Sequence, residues 1–228
     1  MQLLESRGIS IKAHIYSVGN VKDTPFDMVN ITSEDIASKD FPVIDDDAGK
    51  EMQEVILSAK AQADSVGGII ECAVTGVPAG FGDPMFDGVE NILAKNIFGI
   101  PAVKGIEFGN GFECTTLRGS ENNDAFRNVN GQILKETNHS GGFLGGISDG
   151  SQLVIRAHVK PTPSIFGTQN TVNKDGDNIQ IQIKGRHDPV IVPRALVVME
   201  SMVAITLLDQ LMISMSSKLS SLTDFYNK

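Results

Sequence analysis

Basic charge is in short supply in this chain. Nineteen Lys and Arg face 28 Asp and Glu across 228 residues, a formal net charge of −9 at pH 7. A nucleic-acid binder needs a basic surface to neutralise phosphates, so this balance argues against such a partner; a small basic pocket needs only a few local charges and stays open. Cysteine is scarce too. Cys72 and Cys114 both fall in apolar, strand-like runs and read as reduced core thiols rather than as a disulfide or redox pair. The four histidines, His14, His139, His158 and His187, have no zinc-like spacing, and no metal site is expected. The start, "MQLLESRGIS", lacks the basic head, apolar centre and small-residue cleavage site of a secretory signal. The long apolar segment near the end is broken by Glu200 and Asp209, with eight residues between them, short of the roughly 18 that a membrane span needs. The expectation is a soluble, cytoplasmic protein with no membrane and no nucleic-acid partner.

The rest of the chain is patterned for a core, with 41% hydrophobic residues. Ile9, Ile11, Ala13 and Ile15 alternate with polar residues and predict a half-buried strand over about 9–18. Residues 19–48 are polar and acidic and read as loop with little core content. Met52, Val55, Ile56, Ala59 and Ala63 form a helical stripe between Lys50 and Val66. "GGIIECAVTGVP" reads as a buried strand. "GDPMFDGVENILAKNIFGIP" reads as a helix with Asp83 as its cap, and "AVKGIEFGNGFE" as a further strand. After a glycine- and asparagine-rich region, 118–150, "QLVIRAHVKPTPS" alternates, with Leu153, Ile155, Ala157 and Val159 on one face and Arg156, His158 and Lys160 on the other. An alternating strand follows over Asn178 to Lys184, then a long helix over 193–217. The order of elements predicts one mixed α/β (α+β) domain over 1–228, its sheets covered by helices.

Three polar clusters interrupt this pattern at element boundaries. "TNHSGGFLGGISDG", 137–150, holds five glycines within 141–150, which permit close backbone approach to a ligand or simply a flexible turn. "KPTPS", Lys160 to Ser164, sets a lysine and two hydroxyls on a proline-fixed turn, suited to phosphate or merely solvated. In "GRHDP", extended geometry puts Arg186 and Asp188 on one face and His187 on the other; a surface ion pair is the plain alternative.

Taken together and in order, "GVPAGFGDPMFDGVENILAKNIFGIPAVKGIEFGNGFE", "LRGSENND", "TNHSGGFLGGISDG", "KPTPSI" and "GRHDPVIVPRALVVMESMVA" resemble the chorismate synthases over nearly the whole chain, most weakly in 19–48. The resemblance implies a β-α-β sandwich assembled as a homotetramer. It implies loss of phosphate from 5-enolpyruvylshikimate 3-phosphate by anti 1,4-elimination, giving chorismate in the shikimate pathway. Reduced FMN is required, with NADPH or another reductant as its indirect source. By that resemblance Lys160, Pro161, Thr162, Pro163 and Ser164 match the flavin-binding turn, and Gly145, Pro101 and Ala102 match backbone flavin contacts. Arg186 matches a flavin-side arginine, and Asp188 an aspartate that assists proton movement. His187 is expected to be structural.

Two departures qualify this. Asp149 stands where the family has asparagine, serine or threonine, and a carboxylate there would repel an anionic ligand unless it points away. Family members also begin with a "GESHG"-like stretch and carry an arginine-rich "SARET"-like segment, neither of which occurs here. This chain has six arginines: Arg7, Arg118, Arg127, Arg156, Arg186 and Arg194. The expectation is therefore the C-terminal three-fifths of a chorismate synthase, truncated at the N-terminus. The alternative is a catalytically inactive fragment that keeps fold, oligomer surface and part of the flavin site. A generic phosphate-binding module remains as a third reading.

Overall fold

The computed structural model of the chain describes residues 1–31 and 36–227. In chain order its elements are α1 (Gln2–Glu5), β1 (Ser10–Val18), β2 (Val21–Lys22), α2 (Asp46–Ala61), β3 (Gly68–Thr75), α3 (Val89–Phe98), β4 (Val103–Phe108), α4 (Gly119–Asn122), β5 (Phe126–Val129), β6 (Gln132–Lys135), β7 (Phe143–Leu144), β8 (Ile147–Ser148), β9 (Leu153–Val159), β10 (Gln169–Val172), β11 (Asn178–Ile181), α5 (Val192–Ser216) and α6 (Leu219–Tyr226). Five strands form one antiparallel sheet in the order β2-β1-β3-β9-β4, and the remaining six form three small hairpins, β5–β6, β7–β8 and β10–β11. The architecture is the mixed α/β arrangement that the alternating strands and helical stripes predict.

Strand alternation divides the sheet into two faces. Ile11, Ala13, Ile70, Cys72, Val74, Leu153, Ile155 and Ala157 point to one side and are buried against Leu93 and Ile97 of α3 and Leu196, Met199, Val203 and Leu207 of α5. By length and composition alone α5 could cross a membrane. Here one stripe of it lies on the sheet, and Glu200 reaches from it to accept the Ala13 N–H at 3.0 Å. That N–H sits on a stretch of β1 that β2 leaves unpaired; the Ile15 N–H beside it is taken by the Pro42 carbonyl at 2.8 Å. The exposed edge of β1 is thus covered by a side chain and a loop, as an unpaired edge requires.

The other face carries charge. His14, Glu71, Arg156 and Glu107 stand directly opposite one another on β1, β3, β9 and β4. His14 is fully buried; its Nδ1 lies 2.8 Å from Asp23 and its Nε2 2.9 Å from Glu71. Both ring nitrogens face carboxylates, so both donate and the ring is an imidazolium. Glu71 also accepts from Arg156 Nε at 2.8 Å and from the Phe26 N–H at 2.6 Å. Asp23 accepts further from the N–H groups of Thr24, Ile44 and Asp45. Of the stretch 19–48 read as loop, residues 32–35 lie outside the described residues; the rest holds the short β2, a 3-10 turn at Ile36–Ser38 and the start of α2, and is richer in core than that reading allows. Phe26 and Ile36 pack on Ala73, with Ile31 and Ile44 around them, and cover this face.

Several boundaries differ from the sequence reading. Helix α2 begins at Asp46 rather than Lys50, because Asp45 caps it through the Asp47 N–H and two carboxylates occupy its positive first turn. Helix α3 is not capped by Asp83. It starts after Gly88, and the Val89 N–H is satisfied by the Gly146 carbonyl at 2.9 Å, a tertiary partner. Strand β11 stops at Ile181 rather than Lys184. Cys72 is a buried free thiol as expected, whereas Cys114 lies in a 3-10 turn, Gly111–Thr116, and is exposed.

His14 supplies a pH test. Burial pulls its pKa down, but the bonds to Asp23 and Glu71 outweigh that and leave it raised above 6.5. The stability tied to its proton is therefore complete below that ordinary value and is lost as pH rises through the higher folded value. Urea midpoints of the parent should fall as pH rises above the ordinary histidine value of 6.5, and the fall should vanish in His14→Ala. That variant should itself lose about 3–5 kcal/mol, since two buried carboxylates then face each other. A parent midpoint flat across that rise would refute the imidazolium assignment.

Candidate functional site

At one end of the sheet β1 and β9 finish while β3 and β4 begin. Four connections leave from there, and three carry residues singled out in the sequence. The Lys160 N–H donates to the Ala102 carbonyl at 3.0 Å. Ala102 holds φ at +72°, a left-handed backbone that a residue with a Cβ adopts at a cost of about 1–3 kcal/mol. Ser65 Oγ donates to the Thr162 carbonyl at 2.6 Å, and the Val66 N–H donates to the Pro189 carbonyl at 2.8 Å. The loop between α2 and β3 therefore joins the 160–164 turn to the 186–189 stretch. Gly67 has to be glycine here, since a Cβ would meet the Val159 carbonyl oxygen at 2.5 Å.

Pro101, Ala102, Lys160 to Ser164 and the backbone next to Asp188 thus share one end of the fold. Lys160 is exposed. The Thr162 hydroxyl is buried and has no hydrogen-bond partner, which costs about 1–3 kcal/mol if left so. A bound polar group would satisfy it. Asp188 pairs with Arg194, in the first turns of α5, rather than with Arg186, because no strand runs through 183–191 to set the two side by side. Arg186 is exposed and makes no ion pair among the described residues. His187 Nε2 lies 3.1 Å from the Ile183 carbonyl, and its ring stands edge-on to Phe166 at 4.8 Å, a structural setting.

Gly145 is elsewhere. It lies in the β7–β8 turn at φ +62°, and that hairpin is fastened by Gly80 and Phe81 to the opposite end of the sheet. The seven residues of β9 separate the two ends by about 20 Å. Near Gly145, Asp149 turns into a buried ion pair with Lys135, which also reaches Asp124 at 3.4 Å and Ser140 Oγ at 3.0 Å. Asp124 gathers Thr137 Oγ1, Ser140 Oγ and the N–H groups of His139 and Ser140. Burial pushes its pKa up, yet these four donors hold it well below the ordinary 3.8. The Asp149 carboxylate is therefore neutralised by Lys135 rather than left bare. Sequence reasoning did not find this cluster, or the His14 network. One signal for the latter is Glu71, a lone charge in an otherwise apolar strand, which demands a buried partner.

The sequence model of the family described as chorismate synthase matches residues 1–212. The chain belongs to the chorismate synthase family. It is 46% identical over 228 residues to the chorismate synthase of Agathobacter rectalis, covering 100% of this chain and 61% of that one. It is 48% identical over 227 residues to that of Lachnoclostridium phytofermentans, covering 99% and 61%. Among solved structures, a crystal structure of chorismate synthase superposes with a TM-score of 0.77 at 26% identity, over 94% of this chain and 60% of that one. The mixed α/β fold is thus the chorismate synthase fold, and the chain spans about three-fifths of the relatives it matches.

The Lys135 cluster can be tested without a ligand. Lys135→Met should destabilise the chain by about 3–5 kcal/mol by leaving two carboxylates without their cation. Adding Asp149→Asn should recover part of the loss in thermal unfolding; no recovery would show that the lysine acts through its packing instead.

Proposed function

We propose that this chain supplies one wall of a flavin-dependent chorismate synthase site, at the end of the sheet where Ala102, Lys160 and Thr162 meet. The reaction is the anti 1,4-elimination of phosphate from 5-enolpyruvylshikimate 3-phosphate, and the proposal places it in the cytoplasm as a step of aromatic amino-acid biosynthesis. The observation that carries this reading is the buried Thr162 hydroxyl with no partner, on a turn whose lysine is exposed, in a chain of this family. Those features fit a cofactor bearing a phosphate and a polar ring edge. Reduced FMN, when bound, supplies transient electron donation with no net oxidation.

The chain's own residues have simpler tasks. The Lys160 ammonium offers a point charge to an anion, and the Thr162 hydroxyl offers one directed hydrogen bond. Pro101 and Ala102 present backbone only, held rigid by the bond to Lys160. Pro161, Pro163 and Ser164 fix and extend the turn. Arg186, exposed and without an ion pair among the described residues, is free to turn toward an anionic group, and Asp188, steadied by Arg194, would assist proton movement at the flavin. Gly145 joins this site only from a second copy, since its own copy puts it about 20 Å away. This agrees with the homotetramer that the family resemblance implies.

A second reading, fold and flavin turn kept without turnover, is favoured by the shortage of cations. The substrate carries a phosphate and two carboxylates, and of six arginines only Arg186 stands at this end unpaired. Phosphate release with reduced FMN under anaerobic conditions decides between them, with the chain alone and with the remaining segment of a relative added. Release in either case supports catalysis, and Asp188→Asn should then lower it about a hundredfold or more while sparing FMN affinity. Absence in both, with FMN still bound, leaves the second reading. Thr162→Val should change stability by no more than about 1 kcal/mol, because the hydroxyl is unpaired, yet weaken FMN binding. Equal FMN affinity in this variant would remove Thr162 from the site.

A further inference from the structure

The β10–β11 hairpin stands apart from the five-stranded sheet. Its two strands form a sheet of their own and pack chiefly on each other. An isolated two-stranded hairpin is marginal in water, and a third strand is one thing that steadies it. Among the described residues no further strand pairs with either outer edge. Ile179, Ile181 and Ile183 remain 39%, 42% and 37% exposed. Proteins blunt such edges with charge or proline, yet Asn178 to Ile183, "NIQIQI", holds neither. The phase of the ladder shows which backbone groups face outward. The Asn173 N–H donates to the Asp177 carbonyl at 2.9 Å, and Thr171 and Gln169 stand opposite Ile179 and Ile181. Bonded and non-bonded pairs alternate in an antiparallel ladder, so Ile179 and Ile181 bond to β10 while Asn178 and Gln180 turn their N–H and C=O groups to the free edge. Strand β10 does not follow β11 further, because the Gly167 N–H is turned to the Ala63 carbonyl at 3.0 Å.

We propose that the β11 edges of two copies pair antiparallel about a two-fold axis at Ile181, joining two hairpins into one sheet. The edge itself names its occupant, because its sequence is the same in both directions from Ile181: glutamine at 180 and 182, isoleucine at 179 and 183. Ile181 then faces Ile181 of the second copy as a non-bonded pair, Ile179 faces Ile183, and Gln180 exchanges both backbone hydrogen bonds with Gln182. Charge agrees with this direction. The turn before β11 holds Asp175 and Asp177 against one Lys174, whereas Lys184 and Arg186 follow the strand. Antiparallel pairing lays the acidic start of each strand beside the basic end of the other, and Asp177 falls opposite Gly185, between Lys184 and Arg186. Parallel pairing would set like charges together. Moving the axis to Gln180 would put Ile183 against Asp177. The contact is isologous and closed, so it stops at two copies. Neither flavin nor substrate enters it, and the family resemblance implies several copies without saying which surfaces meet.

Cysteine cross-linking reads the pairing directly. Cys114 is exposed, so it is first removed by Cys114→Ser. In that background Ile181→Cys should form a disulfide between copies under oxidised glutathione, since a non-bonded pair sets the two Cα atoms about 4.5 Å apart. Gln180→Cys should link about tenfold more slowly or not at all, because its counterpart lies on the diagonal, about 7–8 Å away. Ile181→Lys sets two ammonium groups opposite each other on an exposed strand, so it should fold normally and weaken self-association about tenfold in sedimentation velocity. Ile181→Cys that stays single while its thiol reacts with a small reagent would overturn the pairing, as would equal linking rates for Ile181→Cys and Gln180→Cys. Ile181→Lys that sediments as the parent does would overturn it too. A mixed link between Ile181→Cys and Ile106→Cys, with no link of Ile181→Cys to itself, would give the edge to β4 of a second copy and likewise overturn the two-fold pair.

Discussion

The proton shared out at His14 is the constraint on which the rest of this fold rests. Two cations, His14 and Arg156, and two anions, Asp23 and Glu71, are locked together on the face of the sheet away from α3 and α5. Every carboxylate oxygen in the set has at least one donor, and Arg156 also lies over the Tyr16 ring at 4.8 Å. Such a network adds little net stability over an apolar equivalent, but losing any one member leaves a buried charge unpaired. Its effect is therefore on which structure forms. A slip of one residue in β1, β3 or β9 would turn His14, Glu71 or Arg156 into the apolar layer, so the charges fix the register. Asp23 and the Phe26 N–H then fasten the 19–48 segment over the sheet.

That register decides where chemistry can occur. With His14, Glu71 and Arg156 in one row, the next row toward the strand ends is Ser17, Ile69, His158 and Gly105, and the connections beyond it carry Ala102, Lys160 and the loop of Ser65 to Gly67. Among the described residues three buried side-chain polar atoms lack hydrogen-bond partners, and two of them, on His158 and Thr162, flank Lys160. Backbone strain at Ala102 falls in the same place. The third, His139 Nδ1, lies at the other end of the sheet, 3.7 Å from Asp124. Two unmet hydrogen bonds and the left-handed Ala102 together mark a place where a ligand can repay what folding leaves uncompensated.

Much of this was legible in the sequence because it depends on period and on punctuation. Strands β1, β3, β4 and β9 and helix α5 are written in alternation and in apolar runs; β1 and α5 fall within a residue or two of their reading, while β3, β4 and β9 begin there and stop earlier, at Thr75, Phe108 and Val159. Local signals failed where the deciding partner is distant in sequence. The start of α3 is set by the Gly146 carbonyl, not by Asp83, and no window around residue 83 contains that information. The side-by-side placement of Arg186 and Asp188 assumed a strand that ends at Ile181, after which Asp188 turns to Arg194. The 19–48 segment looks polar because its few apolar residues have no period. They are placed by Asp23 and Glu71, whose partners lie on other strands.

The same distinction bears on how the site is divided. Residues matched to the flavin by resemblance are grouped by the fold into two sets at opposite ends of β9, with Gly145 in one and Lys160 to Ser164 in the other. Both ends are pinned by hydrogen bonds, through Ser148 on one side and through Ser65 Oγ and the Val66 N–H on the other. Bringing them together within one copy would mean breaking β9 out of the centre of the sheet, where it pairs on both edges with β3 and β4. No ligand contact is strong enough to compensate for that loss of two ladders of hydrogen bonds and of the core residues Leu153, Ile155 and Ala157. Within one copy, only a ligand that reaches across about 20 Å could touch both sets. The open side of α5, where Val197, Val198, Ile205 and Met212 remain exposed, offers apolar surface for further association.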